Sequence, residues 1–180
     1  MFQVSRDNPA YYLTSVTHDR LPIFRTDVLK KIVCDAFDEA RRSAGIRIFA
    51  YVIMLDHTHV LNDNAREMRD VLRYLNGISA KRIIDYLKEN GHEGPLAKLR
   101  IQQRENKHKH SVYQHHPNAL RITGEDAFMQ KVSYIHLNPV RAELAAHPDD
   151  YVYSSARIWH KRELENEPLE MDHREIKWRS

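Results

Sequence analysis

The sequence predicts an α+β protein: a ferredoxin-like antiparallel sheet with helices packed on one face, plus a C-terminal helical or extended tail. Three observations predict it. Apolar patterns follow the order strand, helix, strand, strand, helix, then a late strand and further helices. The two long helical segments keep a 3.6-residue apolar period, and the first is closed by glycine. The strand segments are rich in β-branched and aromatic residues. This order suits the split β-α-β plan, with the helices on one side of the sheet.

Each element has its own reason. Residues 11–17, Tyr-Tyr-Leu-Thr-Ser-Val-Thr, form a strand, which Asp19-Arg20-Leu21-Pro22 breaks. Thr26 caps a helix running to about Ala44, with Val28, Leu29, Ile32, Val33, Ala36, Phe37 and Ala40 on its apolar face and Gly45 as its stop. Residues 46–55 read as a second strand. Residues 57–62 form a third after a turn near Asp56, or extend the second. Residues 66–90 are helical, with Gly77 marking a kink or a break. Residues 91–95 end that helix, and residues 96–110 show no clear period. Beyond them, Val112, Tyr113, Leu120 and Ile122 are strand positions around a turn at Pro117-Asn118. Residues 124–138 form a helix with Glu125 and Asp126 in its first turn, where the macrodipole favours acids. Pro139 limits that helix, and residues 140–146 form a short second one. Residues 1–160 thus make one domain, and residues 161–180 a charged tail, loose or bound to the surface.

Composition sets bounds on function. A chain of 180 residues with a hydrophobic fraction of 42% can bury one core. Lys+Arg 28 against Asp+Glu 25 leaves a formal charge of only +3, which allows a nucleic-acid surface without demanding one. Residues 98–110 are locally basic, carrying Lys98, Arg100, Arg104, Lys107 and Lys109 against Glu105. Cys34 is the only cysteine, so neither an intramolecular disulfide nor a cysteine-based zinc site can form, and its place on an apolar helix face marks it as a small buried hydrophobe. No signal-peptide core and no membrane-length apolar run is present, which points to a soluble cytoplasmic protein without membrane contact.

Two constellations carry chemistry. His57-Thr58-His59 follows the apolar run 49–55, and alternate residues of a strand share a face, so both imidazoles present to one side, where one divalent cation can bridge them. The plainer reading is a pair of strand histidines satisfied by hydrogen bonds or solvent. Tyr134 and Asn138 stand one helical turn apart on one face. A tyrosine is a weak nucleophile at neutral pH, and a metal helps it by polarising phosphate oxygens. The plainer readings here are a packing tyrosine and an N-cap at Asn138, with Pro139 opening the next helix. His136 lies on another face of that helix and is not assigned to the metal. Tyr151 and Tyr153 read as packing residues, and Tyr11 and Tyr12 as strand residues.

These residues resemble a family. Residues 11–14, 20–24 and 50–61, then Tyr134-Ile135-His136-Leu137-Asn138-Pro139-Val140-Arg141-Ala142 and residues 151–156, are similar to the REP-associated tyrosine transposases, IS200-like members of the single-tyrosine His-hydrophobic-His superfamily. The resemblance spans residues 11–157 and implies a ferredoxin-like fold and a divalent-metal-dependent DNA strand transferase. By position, His57 and His59 match the metal-binding histidines, Asn138 the polar residue completing the metal site, and Tyr134 the nucleophile. The implied cofactor is Mg2+ or Mn2+. The implied reaction cuts single-stranded DNA, leaving a 5′-phosphotyrosine and a free 3′-hydroxyl, on hairpin-forming repeated palindromes. Three residues depart from the family: Thr58 replaces a hydrophobic residue, Leu55 a common proline and Glu143 a common glycine. Residues 88–116 match poorly.

DNA binding asks for backbone cations and planar stacking groups. The candidates are Arg69, Arg73, Lys81 and Arg82 on the long helix and Arg141 beside the tyrosine, with Arg157, Trp159, His160, Lys161, Arg162 and 177–179 as further basic and aromatic positions. Two rival readings are a domesticated binder of repeated palindromic DNA that does not cut, and a metal hydrolase using water. The chain acts as a monomer or a homodimer.

Overall fold

In the computed structural model, residues 1–101, 110–115 and 117–178 are described. Four antiparallel strands form one sheet: β1 (Ala10–Val16), β2 (Ile48–Ile53), β3 (His57–Asn62) and β4 (Asn118–Ile122). Their order is β2-β3-β1-β4, which with α1 (Asp27–Ala44) and α2 (Met68–Glu89) gives the ferredoxin-like path expected. Strand β3 is separate from β2, the turn at Asp56 standing between them. A short α3 (Glu93–Lys98) lies in the stretch without a clear period. Helices α4 (Glu125–Arg141) and α5 (Ala156–Trp159) follow.

Strand alternation divides the core in two. Leu13, Tyr51, Ile53 and Val60 point to one face and pack with Val33, Phe37, Val71, Leu75 and Ile83 of α1 and α2. Tyr12, Ala50, Val52 and Leu61 point to the other and pack with Phe128, Val132 and Ile135 of α4. The two helices of the split β-α-β unit do share one face, and the late helix α4 takes the opposite one. A register shift between Ile48 and Ala50 lets both Phe49 and Ala50 join the α4 side.

Local signals explain the first helix. The Thr26 hydroxyl accepts from the Leu29 amide (3.3 Å), and Gly45 ends α1 at φ 66°, a left-handed position that favours glycine. Cys34 is fully buried, and burial pushes its thiol pKa up.

Three expectations are corrected. Helix α2 runs unbroken through Gly77. Asn118 opens β4 rather than lying in a turn, and Tyr113 only bridges to Thr17. Helix α4 passes through Pro139 to Arg141, so Asn138 is not an N-cap and residues 140–146 are not a second helix. A proline here forfeits its own N–H bond and crowds the carbonyl four residues back, and the Asn138 side-chain amide donates to the Tyr134 carbonyl in the same turn (2.8 Å). The helix then closes with Glu143 N donating to Val140 O (3.0 Å) and Leu144 N to Pro139 O (2.8 Å), the paired bonds of a Schellman end. Glu143 sits at φ 56°, where that end favours glycine. Of the two readings of the tail, loose or bound to the surface, the second holds. Leu169 and Ile176 are buried, Ile176 bridges to Phe2, and Asp172 pairs with Arg41 (3.0 Å) and accepts from the Ile48 amide (2.9 Å).

Residues around Ser154 cover the outer edge of β2. Ile53 N donates to Tyr153 O (2.9 Å) and Ser155 N to Tyr51 O (3.0 Å), which leaves that edge paired. Arg157, a candidate DNA contact, is instead buried, donating to Glu167 (2.7 Å) and to the Tyr151 and Val152 carbonyls (2.9 and 2.8 Å). Among the described residues no helix is long and apolar enough to cross a membrane.

Relieving the left-handed strain at position 143 is expected to help. Glu143→Gly raises stability by up to about 1 kcal/mol, read as a higher thermal midpoint. An unchanged or lower midpoint contradicts the helix-end assignment.

Candidate active site

Strand β3 alternates Thr58 and Val60 toward α1 and α2 with His57, His59 and Leu61 toward α4. The imidazoles are neighbours, with ring centroids 4.9 Å apart. From the other direction, α4 delivers Tyr134. Its ring lies 5.5 Å from that of His59, edge-on, and 6.3 Å from that of Tyr12. Tyr134 is 39% exposed, so the residue is open to solvent. The convergence of the histidine pair with the tyrosine is therefore present within one chain.

Each histidine is held by one nitrogen. His57 Nδ1 meets Asp56 Oδ1 at 2.6 Å. His59 Nδ1 meets two hydroxyls, Tyr12 Oη at 2.8 Å and Thr14 Oγ1 at 2.9 Å. Thr14 sits directly across from His59 in the β1–β3 register, and Tyr12 is two residues away on the same face. Neither Nε2 has a hydrogen-bond partner among the described residues. Burial is the main cause that pushes the His59 pKa down to about 3, with the neighbouring His57 and Lys131 adding to it. His59 is thus neutral at physiological pH, the state a metal ligand needs. Burial also raises the Tyr12 phenol to about 12, keeping it protonated.

This donor set fits a divalent cation at the histidine pair. Metal-bound imidazoles are typically held by a hydrogen bond at the other ring nitrogen, and both rings here have one. Among the described residues no group of three or more His, Cys, Asp or Glu side chains is placed to hold a metal. Further donors would have to be an amide, solvent or phosphate. Asn138 lies one turn beyond Tyr134; its amide nitrogen is used by the Tyr134 carbonyl, and no hydrogen bond joins it to either imidazole.

Two cations flank the nucleophile candidate. The Lys131 ammonium is 4.7 Å from the Tyr12 ring centroid and 5.6 Å from that of Tyr134. The Arg141 guanidinium carbon is 5.2 Å from the Tyr134 centroid on the same helix. Of the five predicted DNA contacts, only Arg141 is brought to this site. Arg69, Arg73, Lys81 and Arg82 are on α2, across the sheet from Tyr134. Three of those four are committed to acids: Arg73 faces Asp70 (3.6 Å), Lys81 faces Asp85 (2.8 Å) and Arg82 pairs with Glu39. His136 is buried with its Nε2 on Ser155 Oγ (2.9 Å), and its pKa is pushed down to about 3 chiefly by burial. It closes against Ser155 and does not join the histidine pair. The basic residues 102–109 lie outside the described residues.

Sequence reasoning missed Tyr12, Thr14, Asp56 and Lys131. Lys131 had a signal, standing one turn before Tyr134. Tyr12 and Thr14 share a strand face, but only the β1–β3 register shows that His59 lies opposite them.

The family model described as "Transposase IS200 like" matches residues 5–96. The chain belongs to the IS200-like transposase family. Its enzymes process DNA, and β1, β3 and both histidines lie inside the matched region of this transposase. A solved structure of a REP-associated tyrosine transposase bound to a REP hairpin has a TM-score of 0.63 at 15% identity, covering 92% of this chain and 87% of that one. That likeness shows the fold, out to the α4 region beyond the family match. A Deinococcus radiodurans R1 crystal structure aligns with a TM-score of 0.48 at 19% identity, over 71% of this chain and 88% of that one. No curated protein matches the transposase in sequence.

The two neutral imidazoles give a pH dependence. Their folded-state pKa values lie below the ordinary 6.5, so the unfolded chain binds protons that the native chain refuses. Stability is therefore expected to fall as pH drops below about 6.5, each histidine contributing up to about 1.4 kcal/mol per pH unit. Urea unfolding from pH 7 to pH 4 reads this as a shallower loss in His136→Asn than in the wild type. Parallel curves would contradict the neutral burial of His136.

Proposed function

We propose that this IS200-like transposase cuts and rejoins single-stranded, hairpin-forming repeated DNA through a 5′-phosphotyrosine on Tyr134, with a divalent cation at His57 and His59. The observation that carries it is the placement of an exposed tyrosine ring 5.5 Å from a half-committed imidazole pair. The hairpin substrate follows the solved relative, which is bound to a REP hairpin.

The reaction is a transesterification. Tyr134 Oη attacks phosphorus and the bond to the 3′-oxygen breaks, so the phenol's proton is balanced by the one that the leaving 3′-hydroxyl gains. Bond energy is kept in the phosphotyrosine, and the reverse attack reseals the strand. A bound Mg2+ or Mn2+ would polarise the phosphate oxygens. The chain's own residues orient the parts. Thr14 and Tyr12 can accept the proton of His59 Nδ1, which leaves its Nε2 lone pair for the metal. Asp56 does the same for His57. Asn138 could offer its amide oxygen, since only its nitrogen is engaged. Arg141 would neutralise a phosphate next to the cut.

Two measurements test this reading. Incubation with Mn2+ and single-stranded hairpin DNA, followed by denaturing electrophoresis, is expected to give a covalent adduct that Tyr134→Phe abolishes. Binding without any cutting would favour the non-cleaving binder, and cutting that survives Tyr134→Phe would favour water as the nucleophile. Separately, Mn2+ affinity without DNA, followed by electron paramagnetic resonance, is expected to fall about ten- to a hundred-fold in the double variant Tyr12→Phe/Thr14→Val. A double variant within two-fold of the wild type contradicts the hydroxyl support of His59.

A further inference from the structure

Lys131 has no role in the reading so far, yet it is the cation most tightly built into the site. It projects from α4 one turn before Tyr134, is half-buried, and sits against the rings of both Tyr12 and Tyr134, 4.7 and 5.6 Å from their centroids. No carboxylate lies within ion-pair distance of it among the described residues. Other partly buried cations of the chain differ. Arg157 is matched to Glu167, Arg41 to Asp38, Glu170 and Asp172, and Lys30 to Asp27. A half-buried ammonium packed beside two tyrosines, with no anion supplied by the described residues, calls for an anion from elsewhere.

The geometry points to Lys131 as a catalytic residue that contacts a non-bridging oxygen of the scissile phosphate while Tyr134 attacks. The inference rests on the strand-transfer reading above. Its chemical logic is charge. During attack the phosphorus becomes five-coordinate and its non-bridging oxygens gain negative charge, and a fixed ammonium at that point favours the crowded state over the ground state. Lys131 takes no proton and forms no bond in the step. Phosphorus gains Tyr134 Oη and loses the 3′-oxygen as before. Arg141 differs in kind. It is exposed and approaches Tyr134 from the far end of α4, which suits gripping the strand more than the reacting phosphate.

The test uses the full chain, Mn2+ and single-stranded hairpin oligonucleotides with randomised flanks, from which the wild type identifies a cut position. On that oligonucleotide, Lys131→Met is expected to lower the single-turnover cutting rate about 100-fold with hairpin affinity within about three-fold, and Lys131→Arg to recover most of it. The same oligonucleotide is then made with an uncharged methylphosphonate at the cut position. With no charge left to neutralise, Lys131→Met and the wild type are expected to react within about three-fold of each other. That arm also serves as the folding control, because a misfolded variant fails on both substrates. Lys131→Met cutting the normal phosphodiester at the wild-type rate overturns the inference alone. So does a deficit that persists in full on the methylphosphonate while far-ultraviolet circular dichroism shows a folded variant. Loss of affinity with an unchanged rate assigns Lys131 to strand binding and also overturns it. A wild type that forms no adduct with any oligonucleotide overturns the strand-transfer reading and this inference with it.

Discussion

The antiparallel register of β1 against β3 is the constraint on which the rest depends. Pairing Thr14 with His59 sets which side chains of both central strands face α1 and α2 and which face α4. A slip by one residue would send Val60 to the α4 side and drive His59 into the larger core. Turning a neutral imidazole into that apolar layer, away from both hydroxyls, would cost the full desolvation of an unpaired polar group. The same register therefore fixes the fold and assembles the site, and neither can move without the other.

The α4 face accommodates polar groups because each one is answered. His136 and His59 are both neutral and buried on this side of the sheet. The Ser155 hydroxyl satisfies His136, and Ser155 is tied in turn to the Tyr51 amide (3.0 Å). His59 has two hydroxyls at one nitrogen and none at the other. His136 likewise is bonded at one nitrogen, so what sets His59 apart is its place beside His57 and Tyr134.

Much of this was legible beforehand, for reasons that differ by residue. Helix α1 carries its own start at Thr26 and its own stop at Gly45, so its ends could be read locally. The His57–His59 pair was legible because strand geometry alone puts alternate residues together. The end of α4 was misread because Pro139 is a strong local breaker, while the bonds that carry the helix past it come from Asn138 and from a turn closed at Glu143. Charge composition left the tail open between loose and surface-bound, because Leu169 and Ile176, which dock it, stand singly in a charged stretch. The α2 cations looked suitable for DNA since composition cannot say which face of a sheet a helix covers. Tyr12, Thr14 and Asp56 act through cross-strand and turn contacts, which leave no periodic trace.

The distribution of charge, more than its total, makes a DNA-processing role reasonable. A net +3 gives little general attraction for a polyanion. On α1 and α2 the cations are largely neutralised by neighbouring acids, as at Arg82 with Glu39 and Arg42 with Asp38. Around Tyr134 the pattern reverses. Among the described residues Lys131 and Arg141 have no carboxylate within ion-pair distance, and Asp56 is bound to His57 and Arg20 (2.6 and 3.4 Å). A strand drawn to this protein would find uncompensated positive charge beside the exposed phenol. Binding and orientation would then be one event, with the phosphate led to the atom proposed to attack it.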